Sequence, residues 1–424
     1  MTQITFNLKK YVKYPVLLII ILSVACKTAK QSANKLIMPE DFLDSLFKTN
    51  EPLQAFIKNK DSLNIQVIYT KIDRNKGNKP TFTEYRFNVD PSRYFYPAST
   101  VKMPIAFLAL EKLNELKQFK IDRNTATITE PSINGQAPFY KFDTAGSVAK
   151  YVEEIFLVSD NEAYNRLYEF LGQEYIQQKL KDKGYEDVII RHRLNIGLTD
   201  AQNRQTNAIN FIDKDSRTLY LQPQQISKAV FKEEEIKLGK GYNSNGKIIN
   251  NPFSFTVKNR IELADLHKMI QSVIFPGSVN KSGRFVIKEE DRKFLLRAMS
   301  ALPREGLIHK YIDKEHTDNY VKFLLDGLAK TPAFNNIRCF NKIGLAYGFI
   351  TDASYFADFE NNVEFMLSAT ILSNKDQIFN DDKYDYETIG FPFMKLLGKA
   401  IYDYELKRDK QFTPNLQEFK ISYE

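Results

Sequence analysis

The segment from Val101 to Leu113 is apolar at Val101, Met103, Ile105, Ala106, Phe107, Leu108, Ala109, Leu110 and Leu113, positions that run almost all the way round a helix. A helix with no polar face has to be surrounded by other elements, so residues 100–118 predict a core helix and a domain built around it. At its mouth lies Tyr96-Pro-Ala-Ser99-Thr-Val-Lys102-Met-Pro104, with a serine three residues ahead of a lysine. The bare spacing says little, because the same S-x-x-K string also begins at Ser32, Ser45, Ser147, Ser244 and Ser278. Only its place at the head of a buried helix sets Ser99 apart.

The chain has 424 residues, 43% hydrophobic and 13% aromatic, enough for at least one large core. Two or three units, or one elaborated domain, fit that length. A formal charge of +8 is spread among many acids. No dense basic block with stacking aromatics occurs, so nucleic acid is not an expected partner.

Lys9, Lys10 and Lys13 precede the apolar run Val16–Leu22 and then Ser23-Val-Ala-Cys26. That order reads as an export signal over residues 1–25, too short to span a membrane. A cysteine just after small residues looks like a bacterial lipoprotein signal, with Cys26 lipidated, a tether over 26–39 and the protein held to a membrane of the cell envelope. The alternative is an ordinary signal or anchor with an incidental cysteine. If Cys26 is lipidated, Cys339 has no partner, and an internal disulfide does not hold the fold. Cys339 sits among apolar neighbours and reads as a buried thiol.

A helix is expected over 40–58, and strands over 64–72 and 81–88 around the turn at 75–80. The middle, about 145–335, reads as mostly helical, with 232–259 as a surface insertion. Strands return at 337–350, 353–359 and 363–372, followed by a helix near 389–402. Strands from both chain ends and helices between them predict an α+β, three-layer α/β/α fold with an antiparallel sheet. The α/β part spans about 40–98 and 336–405, the helical part about 99–335, and 406–424 is a tail.

After Ser99-Thr-Val-Lys102 come Ser159-Asp160-Asn161 and, much later, Lys342-Ile343-Gly344. In that order the three strings resemble S-x-x-K, S-D-N and K-[ST]-G of the class A β-lactamases and penicillin-binding proteins. The resemblance spans about residues 40–405, with 212–290 as extra material whose position suggests a lid that restricts the substrate. It implies a β-lactamase/transpeptidase-like fold and a serine hydrolase that forms an acyl-enzyme, with no cofactor and no metal. Its substrate is a small molecule or a peptidoglycan-derived peptide.

The chemistry needs these residue types. On a helix, i and i+3 share a face, so Lys102 can reach the Ser99 hydroxyl. In the fold the resemblance implies, burial with Lys342 nearby would lower the Lys102 pKa towards that of a usable base. By resemblance, Ser159 relays a proton, Asn161 binds a substrate amide, Asp160 orients its loop and Lys342 supplies positive charge beside Gly344. The backbone N–H groups of Ser99 and Leu345 would form the oxyanion hole. The structural alternatives are helix caps at Ser99 and at Ser159-Asp160-Asn161, and an edge-strand lysine at Lys342. Lys281-Ser282-Gly283 matches K-[ST]-G more strictly, yet it precedes a helical stretch rather than a strand.

Two departures stand out. Ile343 replaces the hydroxyl residue that helps bind a substrate carboxylate. The glutamate that activates the deacylating water falls on Arg191 when aligned through Leu194-Asn195, or on Asn195 by distance from Ser159. Neither is a general base. His192 is a possible substitute, and a structural histidine between two arginines is the other reading. The other histidines, His267, His309 and His316, have no zinc-ligand spacing. An acyl-enzyme that persists, as in a penicillin-binding protein, or a D-Ala-D-Ala carboxypeptidase-like or esterase activity, is one outcome. A non-catalytic peptidoglycan-binding protein is the other.

Overall fold

The computed structural model describes residues 42–129, 146–328 and 336–423. Cys26, with the leader and the tether, lies outside them. Five antiparallel strands form the central sheet: β1 (Gln66–Arg74), β2 (Pro80–Phe87), β3 (Ile337–Ala346), β4 (Phe349–Asp358) and β5 (Val363–Leu372). Their order is β3-β4-β5-β1-β2, and the join between the chain ends is β1 on β5, with Gln66 opposite Thr370. Side chains alternate between faces. Val67, Tyr69, Phe365 and Leu367 therefore enter one buried cluster, while Ile68, Ile72 and Met366 enter the other.

The first cluster is covered by α1 (Phe42–Thr49), α2 (Glu51–Lys58) and α9 (Phe391–Lys407). The expected helix over 40–58 is two helices. Asn50 caps the second with its side chain, and Pro52 sits at its N-terminus, where no N–H is needed. On the other face lies α7 (Leu263–Ile274), whose buried His267 hydrogen-bonds Thr70 on β1 and Ser368 on β5, each at 2.8 Å. Residues 212–290 are therefore not all extra material. Apolar residues of α7 seal the sheet, which makes it a core helix.

Helix α3 (Lys102–Glu115) is buried on all sides from Lys102 to Leu113, among α4 (Val148–Leu157), α5 (Asn161–Leu171) and α6 (Gln173–Asp182). Its apolar periphery is satisfied only in such a position. A last helix, α8 (Glu289–Ser300), completes the group.

The middle is less helical than expected. Ala126–Thr129 pairs with Ile209–Ile212 and then Thr218–Gln222, and short strands lie between 237 and 254. One of these, Gly241–Ser244, pairs in parallel with Ile378–Phe379 from the C-terminal part. Short strands with distant partners leave little periodic signal. Nor are the C-terminal residues a loose tail. Phe419 is buried with its ring 4.9 Å from that of Tyr355.

Candidate active site

A 3-10 turn, Ala98–Val101, leads into α3 and lies against the free edge of β3. Ala98 has a φ of 46°, a left-handed conformation that costs a non-glycine residue roughly 1–3 kcal/mol. Gly344 permits the close approach: a Cβ there would lie 2.4 Å from Pro97 O and 3.1 Å from Thr100 Cγ2. The third residue of the K-x-G string is glycine because the 97–100 turn occupies the space of a side chain.

Strand register explains which backbone groups face that turn. Tyr347 and Gly348 (φ 54° and 80°) form a two-residue hairpin of type I′, which makes Ala346 and Phe349 the closing hydrogen-bonded pair. Odd-numbered residues of β3 then point both N–H and C=O outwards. Two lysine contacts agree, since Lys322 Nζ donates to Cys339 O at 2.9 Å and Lys342 Nζ to Ile343 O at 3.0 Å. The Leu345 N–H belongs to the same outward set. Ser99 N–H sits in the first turn of a helix, where no intrahelical acceptor exists.

The side chains converge on Ser159. Lys102, wholly buried, donates to Ser159 O, lies 3.3 Å from Ser159 Oγ and donates to Asn161 Oδ1 at 2.8 Å. Lys342 donates to the same Ser159 Oγ at 2.8 Å. Ser159 itself has a φ of 56°, which turns its carbonyl and hydroxyl towards the lysines. Asp160 caps α5 by accepting from Ala163 N–H at 2.7 Å, and this holds the loop.

Burial pushes Lys102 down to about 7, partly opposed by Asp160. Burial pushes Lys342 well below the ordinary lysine value, and the Lys102 charge pushes the same way. Two ammonium groups sharing one hydroxyl oppose each other's charge, so near neutral pH a free amine is accessible. No hydrogen bond joins Lys102 Nζ to Ser99 Oγ among the described residues. Lys102 is engaged instead with Ser159 and Asn161.

Ser99, Asn161, Asn195 and Leu345 open onto a cleft of about 550 Å³. Its other walls are Tyr96, Tyr347, Tyr384 and Tyr386, with Asn380 and Asp382 at the rim. The motif strings do not point to these last six residues. The only available signal is the aromatic and acidic run Asp381-Asp-Lys-Tyr-Asp-Tyr386, which reads as a polar loop. Asn380 Nδ2 donates to Asn243 O at 3.0 Å, so the insertion braces this rim.

Ile343 points away from the cleft. It is buried in the cluster that includes Ile350, Phe393 and Leu397, so a hydroxyl at this position would lie in apolar core. His192 does not line the cleft, and both its ring nitrogens have backbone partners. Nδ1–H donates to Arg193 O at 2.7 Å and Nε2 accepts from Asn259 N–H at 3.2 Å. Burial pushes it down to about 4. Arg191 pairs with Asp200 at 2.7 Å and stacks on Phe231, while Arg193 and Glu169 form a fully buried pair at 2.9 Å. Lys281-Ser282-Gly283 is a 3-10 turn outside the cleft. Cys339 is buried, and burial raises its thiol.

A model of a β-lactamase enzyme family matches residues 49–404. The chain belongs to that family. No curated protein matches the sequence. Among solved structures, it is similar to PBP-A, with 14% identity over 85% of this chain and 96% of that one, at a TM-score of 0.47. A β-lactamase from Xanthomonas campestris pv. campestris shares 11% identity over 86% and 97%, at 0.45. An ancestral class A β-lactamase shares 12% over 85% and 99%, at 0.43.

Proposed function

We propose that the protein is an exported serine hydrolase that takes an acyl group from an amide or ester, such as a lactam or a cell-wall peptide, onto Ser99. The observation that carries this reading is the convergence of Lys102, Ser159, Asn161 and Lys342 beside a serine at a strained helix mouth. In the first step neutral Lys102 accepts the Ser99 proton, directly or through Ser159, as Ser99 Oγ bonds to the substrate carbonyl carbon. The Ser99 and Leu345 N–H groups bind the oxyanion. The bond to the leaving nitrogen or oxygen then breaks as Ser159 delivers a proton, which Lys102 replaces. With its Oδ1 engaged by Lys102, Asn161 keeps its Nδ2–H free for a substrate amide. Catalytic hydrogen bonds of this kind commonly tighten only around the substrate, which accommodates the missing Ser99–Lys102 bond.

Release is slow in this reading, because Arg191 and His192 are used structurally and Asn195 is no base. This favours the lasting acyl-enzyme of a penicillin-binding protein over rapid lactam hydrolysis. The leader supports lipid attachment at Cys26 and a place in the cell envelope. Membrane fractions of cells making the Cys26→Ser chain should have lost the protein.

Intact-mass spectrometry of the mature chain with a penicillin and a small activated ester, beside Ser99→Ala, tests the core of the reading. A lasting adduct that vanishes in Ser99→Ala is the expected result. Fast turnover without accumulation would contradict slow release, and no adduct with either reagent would sink the assignment of Ser99.

A further inference from the structure

Ile343, at the hydroxyl position of the family's string, faces the core, and among the described residues no lysine or arginine lines the walls of the cleft that holds Ser99. Lys342 lies buried behind Ser159 with its ammonium on Ser159 Oγ and Ile343 O. Lys102 reaches the cleft only through Asn161 Oδ1, at 2.8 Å, and Lys258, whose Nζ is 5.7 Å from the Tyr347 ring, does not line it. The exposed Lys383 beside Asp382 does not line it either.

What the walls do offer has the opposite character. Tyr96, Tyr347, Tyr384 and Tyr386 present aromatic surface, and the ring of Tyr347 meets that of Tyr96 edge-on at 5.1 Å. Tyr384 and Tyr386 are fixed by their hydroxyls, which accept from Asn380 N–H and Gly348 N–H, each at 2.8 Å. Their rings are thus rigid walls. Asp382 stands among them with no salt bridge among the described residues, held at a φ of 57°. An unpaired carboxylate set against aromatic rings is how a protein binds an organic cation.

We infer that the acyl group accepted by Ser99 carries a cationic substituent, an ammonium held by Asp382 and the tyrosine walls, in place of a carboxylate. The inference rests on the proposed Ser99 chemistry for the reaction itself, but the cation site can be read without it. Acylation proceeds as above: Ser99 Oγ bonds to the carbonyl carbon, the bond from that carbon to the phenolic oxygen breaks and the phenolate departs.

Three p-nitrophenyl esters test it: 4-(trimethylammonio)butanoate, its neutral isostere 5,5-dimethylhexanoate, and the monoester of adipic acid. The cationic ester should acylate Ser99 about ten-fold faster than the neutral one, since each contact is modest at a partly exposed rim, and the anionic one should be slowest. In Asp382→Asn the cationic-to-neutral ratio should fall to within about three-fold, and salt should shrink the wild-type ratio. Equal rates, or a preference for the carboxylate, would overturn the inference and leave Ser99 as nucleophile. Separately, Ser99→Ala is titrated with benzyltrimethylammonium and, as control, phenylacetate. The chain has 23 tyrosines and no tryptophan, so tyrosine emission reports binding. Saturable binding of the cation alone, weakened in Asp382→Asn, supports the site even where no ester reacts, in which case only the Ser99 reading falls. No binding of the cation overturns it.

Discussion

The 97–102 turn and the 188–195 loop border the same cleft and use their polar groups in opposite ways. Around the turn, hydrogen-bonding capacity is left over. Ser99 presents its hydroxyl to the cleft, Asn161 spends only its oxygen on Lys102, and Ser159 Oγ lies between two lysines whose pKa values burial has lowered. In the loop, the capacity goes into holding the backbone. Asn165 exchanges two bonds with Leu194, Asn259 accepts from Arg191 and His192 N–H groups, and Arg193 is buried against Glu169. Groups that move protons need a free position, whereas groups that pin a chain have none. In the proposed reading the turn keeps the groups that acylation needs, while the loop serves as a structural fastening.

The sharpest way to break this contrast is to remove the base of the turn. Lys102→Met should lower the acylation rate of Ser99 by about 10²–10⁴-fold, measured by stopped-flow release of p-nitrophenol, the range for loss of a general base. In the wild type the same rate should rise with pH and level off above about 7, since only the neutral form of Lys102, lowered to about 7, accepts a proton. A profile flat from pH 5 to 9 would remove Lys102 from the role.

The loop should answer in stability. Glu169→Ala removes the carboxylate that faces the buried guanidinium of Arg193 and should cost about 3–5 kcal/mol in urea unfolding. Replacing both residues by apolar ones should recover much of that loss. A smaller effect tests the sheet face: burial holds His267 at about 4, below its unfolded value near 6.5. The unfolded chain therefore takes up the proton first, and stability present above about pH 6.5 falls by up to about 3 kcal/mol as pH drops towards 4. His267→Gln should flatten that dependence. The smallest effect is the most discriminating. His192→Gln should change acyl-enzyme hydrolysis by less than about two-fold, whereas loss of a true general base costs about 10²–10⁴-fold.

Much of this contrast is visible in residue order. The apolar girdle of α3 requires a buried helix, and the strand stretches at 337–350, 353–359 and 363–372 mark a sheet completed by the C-terminal part. Three short strings place Ser99, Lys102, Ser159, Asn161 and Lys342 in one order. Less visible are features that depend on distant partners. The strand Gly241–Ser244 exists because Ile378–Phe379 runs beside it, and α7 belongs to the core because Thr70 and Ser368 accommodate His267. Local periodicity cannot report either pairing.

The same division holds at the site. Residue types and local spacing determine which groups can do acyl chemistry, because helical and strand periods are properties of a short stretch of chain. Tertiary structure decides their state and availability. Burial is what lowers Lys102 and Lys342, and the loop's contacts are what occupy His192 on both nitrogens. The Tyr347 hairpin meeting the 380–386 loop is what lines the cleft with tyrosines and an unpaired Asp382. Desolvation and hydrogen-bond saturation depend on every neighbour within a few ångströms, and those neighbours come from all parts of the chain.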